Sequence, residues 1–87
     1  PVSNTAKVMY ARLLDEILTR GTEDSNGILF IRFPVMEIAA ALSRSPQTCK
    51  RSLNELEQAG MIMRVRQGIG EVSHIYILLP REDAAHE

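Results

Sequence analysis

An α+β domain with three helices and a small three-stranded antiparallel sheet is what the sequence predicts, on three observations. A well-punctuated helix starts at Ser45-Pro46 and stops at Gly60. A shorter amphipathic stretch, Val35 to Leu42, precedes it across the three-residue connection Ser43-Arg44-Ser45. After Gly60 the apolar spacing changes from the helical period to the two-residue period of strands. Short helix, tight turn, longer helix and hairpin together outline a winged helix-turn-helix.

Each element has a local reason. Ser3 is placed to cap a first helix running to about Arg20, and Ala6, Met9, Tyr10, Leu13, Leu14, Ile17 and Leu18 recur at spacings of three and four. That segment reads as a core-forming scaffold, with Val8 isolated among the polar positions. Gly21 to Gly27 has turn composition, closed by the reversal signal Asn26-Gly27, and reads as a loop. Ile28 to Phe33 is a β-rich run ended by Pro34, a strand that pairs with the later hairpin. The short helix then turns Ile38, Ala39 and Leu42 inward.

The long helix has Ser45 as N-cap, Pro46 at the first helical position, where its missing N–H is no loss, and Gly60 to close it. Cys49, Leu53 and Leu56 form a narrow apolar seam, and Gln47, Arg51, Asn54 and Gln58 lie opposite. In the hairpin, Met61, Met63 and Val65 alternate with Ile62, Arg64 and Arg66, and Ile75, Ile77 and Leu79 alternate with His74, Tyr76 and Leu78. Matching apolar faces pairs Val65 with Ile75 and Met63 with Ile77, which leaves Gly68 to Val72 as the loop. In that register Arg64, Arg66, His74 and Tyr76 share one surface.

Composition bounds the function. Eighty-seven residues, 45% of them apolar, suit one domain with one core over 1–87. No apolar run has the length of a bilayer crossing. The lone Cys49 lies on the apolar seam and reads as a buried structural thiol in a reducing, intracellular setting. One Cys and two separated His make no metal pattern, and Gly68-Ile69-Gly70 follows a strand but opens no helix, so neither a metal, a cofactor nor an enzymatic site is expected. His86 lies in the polar tail. The net charge of −1 hides an asymmetry: residues 44–67 hold five cations against two carboxylates, a balance of +3 that leaves −4 for the remainder. A local basic patch is what steers a phosphate backbone, whatever the total charge.

These features assign double-stranded DNA as the partner. On the long helix Arg51 is the residue for a bidentate contact to guanine, with Gln47 and Asn54 suited to adenine. Arg44, Ser45, Thr48 and Lys50 near the helix start, and Arg64, Arg66, His74 and Tyr76 on the wing, are the phosphate contacts, with Gln67, Gly68 and Gly70 at the wing tip. Two rival readings remain open. One is a transcriptional regulator with the same DNA contacts; the other is a protein-interaction or oligomerisation module, which Glu55 and Glu57 on the long helix favour because they would repel nearby DNA.

The chain also resembles the N-terminal domain of the RepA-type plasmid replication initiators of Gram-positive bacteria. The matching stretches are Ser3-Asn4-Thr5-Ala6-Lys7 with Tyr10 and Leu13-Leu14-Asp15, and Asn26-Gly27 leading into Phe30-Ile31-Arg32-Phe33. They continue through Leu53 to Ile62 and Arg66-Gln67-Gly68-Ile69-Gly70 to Ile75-Tyr76. Pro34, where a Ser or Thr is common, and Lys50, where an apolar residue is common, depart from the pattern. The resemblance implies binding to repeats of a plasmid origin as a homodimer in the bacterial cytoplasm. It also implies a further C-terminal region that recruits host replication proteins, and no membrane association. Val8 and Ile28 to Phe33 are the apolar area expected at the dimer surface.

Overall fold

The computed structural model describes residues 2–78. Leu79, the end of the expected second hairpin strand, and the polar tail with His86 lie outside the described residues. The elements run α1 (Asn4–Arg20), β1 (Thr22–Glu23), β2 (Leu29–Arg32), α2 (Val35–Leu42), α3 (Pro46–Gln58), β3 (Ile62–Val65) and β4 (His74–Ile77). The four strands form an antiparallel sheet in the order β1-β2-β4-β3. This is the predicted α+β winged helix-turn-helix, with one strand more than the three expected. The extra strand lies inside the segment read as a loop: Thr22 and Glu23 pair with Phe30 and Leu29 across a turn tied by Asp24. The Asp24 Oδ1 accepts from the backbone N–H groups of Asn26 and Ile28, at 2.8 and 2.9 Å. A two-residue strand leaves no periodicity to read, which is why composition alone gave a loop.

Helix ends follow the expected caps. Ser3 Oγ accepts from the Ala6 N–H and Ser45 Oγ from the Thr48 N–H, each at 3.1 Å. Gly60, at φ 75°, follows the end of α3 in the left-handed region, as a closing glycine does. The start of α2 has no side-chain cap, because Pro34 offers none; its carbonyl accepts from Glu37 and Ile38 instead. The turn between α2 and α3 is closed by Ser43 at φ 54°, the non-glycine residue with positive φ among the described residues. An L-residue there stores roughly 1 kcal/mol of strain.

The core lies between α1, α3 and one face of the sheet. Ala6, Met9, Leu13 and Ile17 of α1 meet Ile38 and Ala39 of α2, Cys49, Leu53 and Leu56 of α3, and Ile31, Ile62 and Ile75 of the sheet. Each fully buried aliphatic side chain contributes about 1.5–3 kcal/mol from removal of apolar surface from water. The α1 stripe is narrower than expected, since Leu18 is 70% exposed and Tyr10 and Leu14 only border the core. Of the expected dimer area, Phe30, Ile31 and Phe33 are buried, and Val8, Ile28 and Leu29 remain exposed.

The hairpin register differs from expectation by one residue. Ile62 pairs with Ile77, Met63 with Tyr76, Arg64 with Ile75 and Val65 with His74. Ile62 therefore faces the core, and Met63 and Val65, predicted inward, are 43% and 38% exposed. The alternation of three apolar residues against one points the other way; in the observed register Ile62 is buried in the core and Arg64, on the same face, meets Glu57 of α3.

Candidate nucleic-acid interface

The two-residue period of β3 and β4 sorts the wing residues onto opposite faces. Ile31, Ile75 and Arg64 form one row across the helix-facing side, and Arg32, His74 and Val65 form the row behind it. His74 and Tyr76 thus do not share a surface with Arg64, a correction that follows directly from the register. His74 stacks on Phe30 with ring centroids 3.9 Å apart, and Arg32 lies over the same ring at 5.4 Å. The Tyr76 hydroxyl donates to Asp24 Oδ2 at 2.9 Å, which pushes the phenol above its ordinary pKa, while the backbone N–H of Ile28 foremost holds the Asp24 carboxyl down. These side chains bind the turn before β2 to the sheet on the side away from α3.

On the other side, Ser45, Pro46, Gln47, Lys50, Arg51 and Asn54 line one open recess along α3. Gln47, Lys50, Arg51 and Asn54 fall at spacings of three and four, so the helix period puts them on one exposed stripe. A second recess, between α3 and the wing, is lined by Asn54, Glu57, Arg64, Arg66 and Ser73. Asn54 belongs to both. The three residues read as base-contacting are therefore together, and Arg66 adds its charge from the wing. Arg44 and Lys50 are exposed at the same end of α3. Ser45 and Thr48 are occupied locally: the Ser45 hydroxyl donates to Thr48 Oγ1 at 2.9 Å while capping the helix. At the wing tip, Gln67 Nε2 donates back to the Val65 carbonyl at 3.0 Å, and Gly70 takes φ 81°, where an L side chain would be strained.

Both carboxylates of α3 are engaged. Glu57 Oε1 accepts from Arg64 Nε at 2.9 Å and from its Nη2 at 2.6 Å. The hydrogen bonds from Arg64 hold Glu57 below the usual carboxylate range. Arg64 Nη2 also donates to Asn54 Oδ1 at 2.6 Å. Glu55 points toward α1, accepting from the Ser3 backbone N–H at 2.6 Å and its hydroxyl at 2.9 Å. The repulsion that these glutamates would exert on a polyanion is thus reduced, because one is neutralised and the other turned aside. Arg64 is itself less free for phosphate, since its charge is matched by Glu57.

The family model for the N-terminus of replication initiator protein A (RepA) matches residues 1–83. The chain belongs to the RepA N-terminal family. Three solved structures share the fold of this RepA-type domain. One is the N-terminal domain of a DNA-binding protein, at 19% identity over 93% of this chain and 64% of that one, with a TM-score of 0.82. Another is a Rep–DNA complex, at 19% identity over 93% and 65% of the two chains and the same TM-score of 0.82. The third is an MDR initiator, at 22% identity over 99% and 76%, with a TM-score of 0.78. The chain spans about two thirds of the length of the first two. No curated protein matches it.

Two further features of the RepA-type domain bear on the site. Cys49 is fully buried, and burial pushes its thiol up, so it packs as a small apolar residue beneath the exposed stripe. No helix among the described residues is long and apolar enough to cross a membrane. The pairing of Glu57 with Arg64 joins an acid and a base seven residues apart across the Gly60 turn, a contact that apolar periodicity does not show and that depends on the observed hairpin register.

Proposed function

We propose that this domain binds double-stranded DNA sequence-specifically at repeats of a plasmid replication origin, with α3 as the reading helix and the β3–β4 hairpin as the wing. The observation that carries the reading is the exposed stripe Gln47, Lys50, Arg51 and Asn54, set beside Arg66 on a helix whose own carboxylates are tied down. A helix with polar and cationic side chains outward and an apolar rear fits the major groove, and an adjacent basic hairpin meets the phosphates. The family supports replication initiation as the purpose of binding. The fold neighbours include a Rep–DNA complex, which supports the same reading.

In this reading Arg51 contacts guanine, Gln47 and Asn54 contact bases, and Arg44, Lys50 and Arg66 contact phosphate. The domain acts as a homodimer on paired repeats, and a C-terminal region recruits host replication proteins. The test is binding to a random duplex and to the repeats of a candidate origin over a salt series. Tighter binding to the repeats with a steep salt dependence is expected. Absence of binding to either duplex at low salt would overturn the reading in favour of a protein-interaction module.

A further inference from the structure

The Arg64–Asn54 contact fixes something that the identity of residue 54 leaves open. An asparagine amide offers a donor end and an acceptor end, and nothing in its own shape decides which one faces a ligand. Here the neighbour decides. Arginine is a donor-only group, so the Asn54 atom 2.6 Å from Arg64 Nη2 has to be the carbonyl oxygen. Arg64 cannot swing away freely, because Glu57 Oε1 holds its Nε and Nη2 at 2.9 and 2.6 Å. Glu57 Oε2 also accepts from the Arg64 backbone N–H at 3.4 Å, so strand, guanidinium and helix are joined at one point.

The consequence falls on the exposed stripe. Oδ1 of Asn54 is drawn toward the wing, and no group among the described residues takes up the Nδ2 hydrogens. Asn54 also lines the recess shared with Gln47, Lys50 and Arg51, the recess a base edge enters in the DNA-binding reading. The bidentate asparagine–adenine contact needs Oδ1 to accept from the adenine amino group while Nδ2 donates to N7. Arg64 takes one of the two lone pairs of Oδ1, so an adenine amino group has to share that oxygen with a guanidinium and approach its positive charge. A base edge made of acceptors meets no such conflict.

We infer that Arg64 is a positioning residue for specificity: by holding Asn54 Oδ1, it presents Nδ2 as the free donor, so that α3 reads an acceptor edge, guanine or thymine, at that position in preference to adenine. The inference rests on the DNA-binding reading and sharpens it. It also gives the buried side of the wing a role in sequence choice without contact to DNA.

The experiment is selection of bound sequences from a randomised duplex pool by the intact protein and by Asn54→Ala, Asn54→Asp and Arg64→Met, with a thermal melt of each variant. The unmodified protein is expected to select guanine or thymine at the one position that Asn54→Ala flattens, a preference of up to about tenfold, the scale of one hydrogen bond. Asn54→Asp keeps the bond to Arg64 but presents an acceptor, so the same position should turn to cytosine or adenine, whose major-groove edges carry an amino donor. Arg64→Met frees the amide to rotate and should admit adenine there while leaving the other positions unchanged, an effect that a purely structural role would not localise. Should Arg64→Met melt too low to test, Arg64→Lys takes its place: it keeps a cation for Glu57 but lacks the planar fork that spans Glu57 and Asn54, so it too should admit adenine, and an unchanged preference overturns the role of Arg64. Selection of adenine by the unmodified protein at that position, or no position altered by Asn54→Ala, overturns the inference while DNA binding stands. Failure of the unmodified protein to bind the pool at low salt overturns the DNA reading itself.

Discussion

The two halves of α3 both carry polar side chains outward, cations in the first and carboxylates in the second, and they do different things. In the first half Gln47, Lys50 and Arg51 extend from the helix with no protein partner among the described residues. In the second half three polar side chains are held by neighbouring elements: Asn54 and Glu57 by Arg64 of the wing, Glu55 by Ser3 at the start of α1. The buried seam of Cys49, Ser52, Leu53 and Leu56 runs beneath both. In the proposed reading the helix is partitioned along its length, with one end left to the DNA and the other fastened to the scaffold that aims it.

The comparison can be broken at several points. Leu56→Ala removes a fully buried side chain from beneath the fastened half and leaves a cavity. A loss of about 2–5 kcal/mol in urea unfolding is expected, enough to bring so small a domain near its unfolding threshold. Arg51→Ala touches only the free half. It should leave the unfolding curve in place and relax preference at one base pair by roughly 1–3 kcal/mol, read from a panel of single-base duplex variants. Unchanged preference across that panel would remove Arg51 from the base contacts.

Smaller effects sharpen the contrast. Ser43→Gly relieves the left-handed strain in the turn that sets α2 against α3, and should stabilise by about 0.5–1 kcal/mol in the same unfolding assay. Glu57→Gln tests the fastening by pH. Arg64 depresses the folded-state pKa of Glu57, so its contribution is fully present above the ordinary glutamate range and is lost as pH falls through the folded value. The variant should therefore melt lower than the parent near neutrality, with the difference shrinking toward acid. The effect is small because the pair is partly open to solvent.

Most of this architecture could be read from the chain because the signals were local. Ser3, Ser45-Pro46 and Gly60 mark helix ends through bonds made within a few residues, and the structure uses all three as expected. The exposed stripe of α3 followed from spacing alone. What could not be read depends on partners far apart in sequence. Met63 and Val65 are as apolar as the core residues they imitate, and the register that leaves them exposed is the one that buries Ile62, pairs Ile75 with Ile31 of β2 and brings Arg64 to Glu57 of α3. The same slip misplaced His74 and Tyr76, whose partners Phe30 and Asp24 lie more than forty residues away. Pairing of that kind leaves no trace in periodicity.

The Ser3–Glu55 contact has a mechanical side. The N-cap of α1 is attached to α3 through two short hydrogen bonds, of 2.6 and 2.9 Å, between residues fifty-two apart in the chain. Pulling the start of α1 away from α3 therefore loads those two bonds directly, and the shared core of the two helices resists the same displacement.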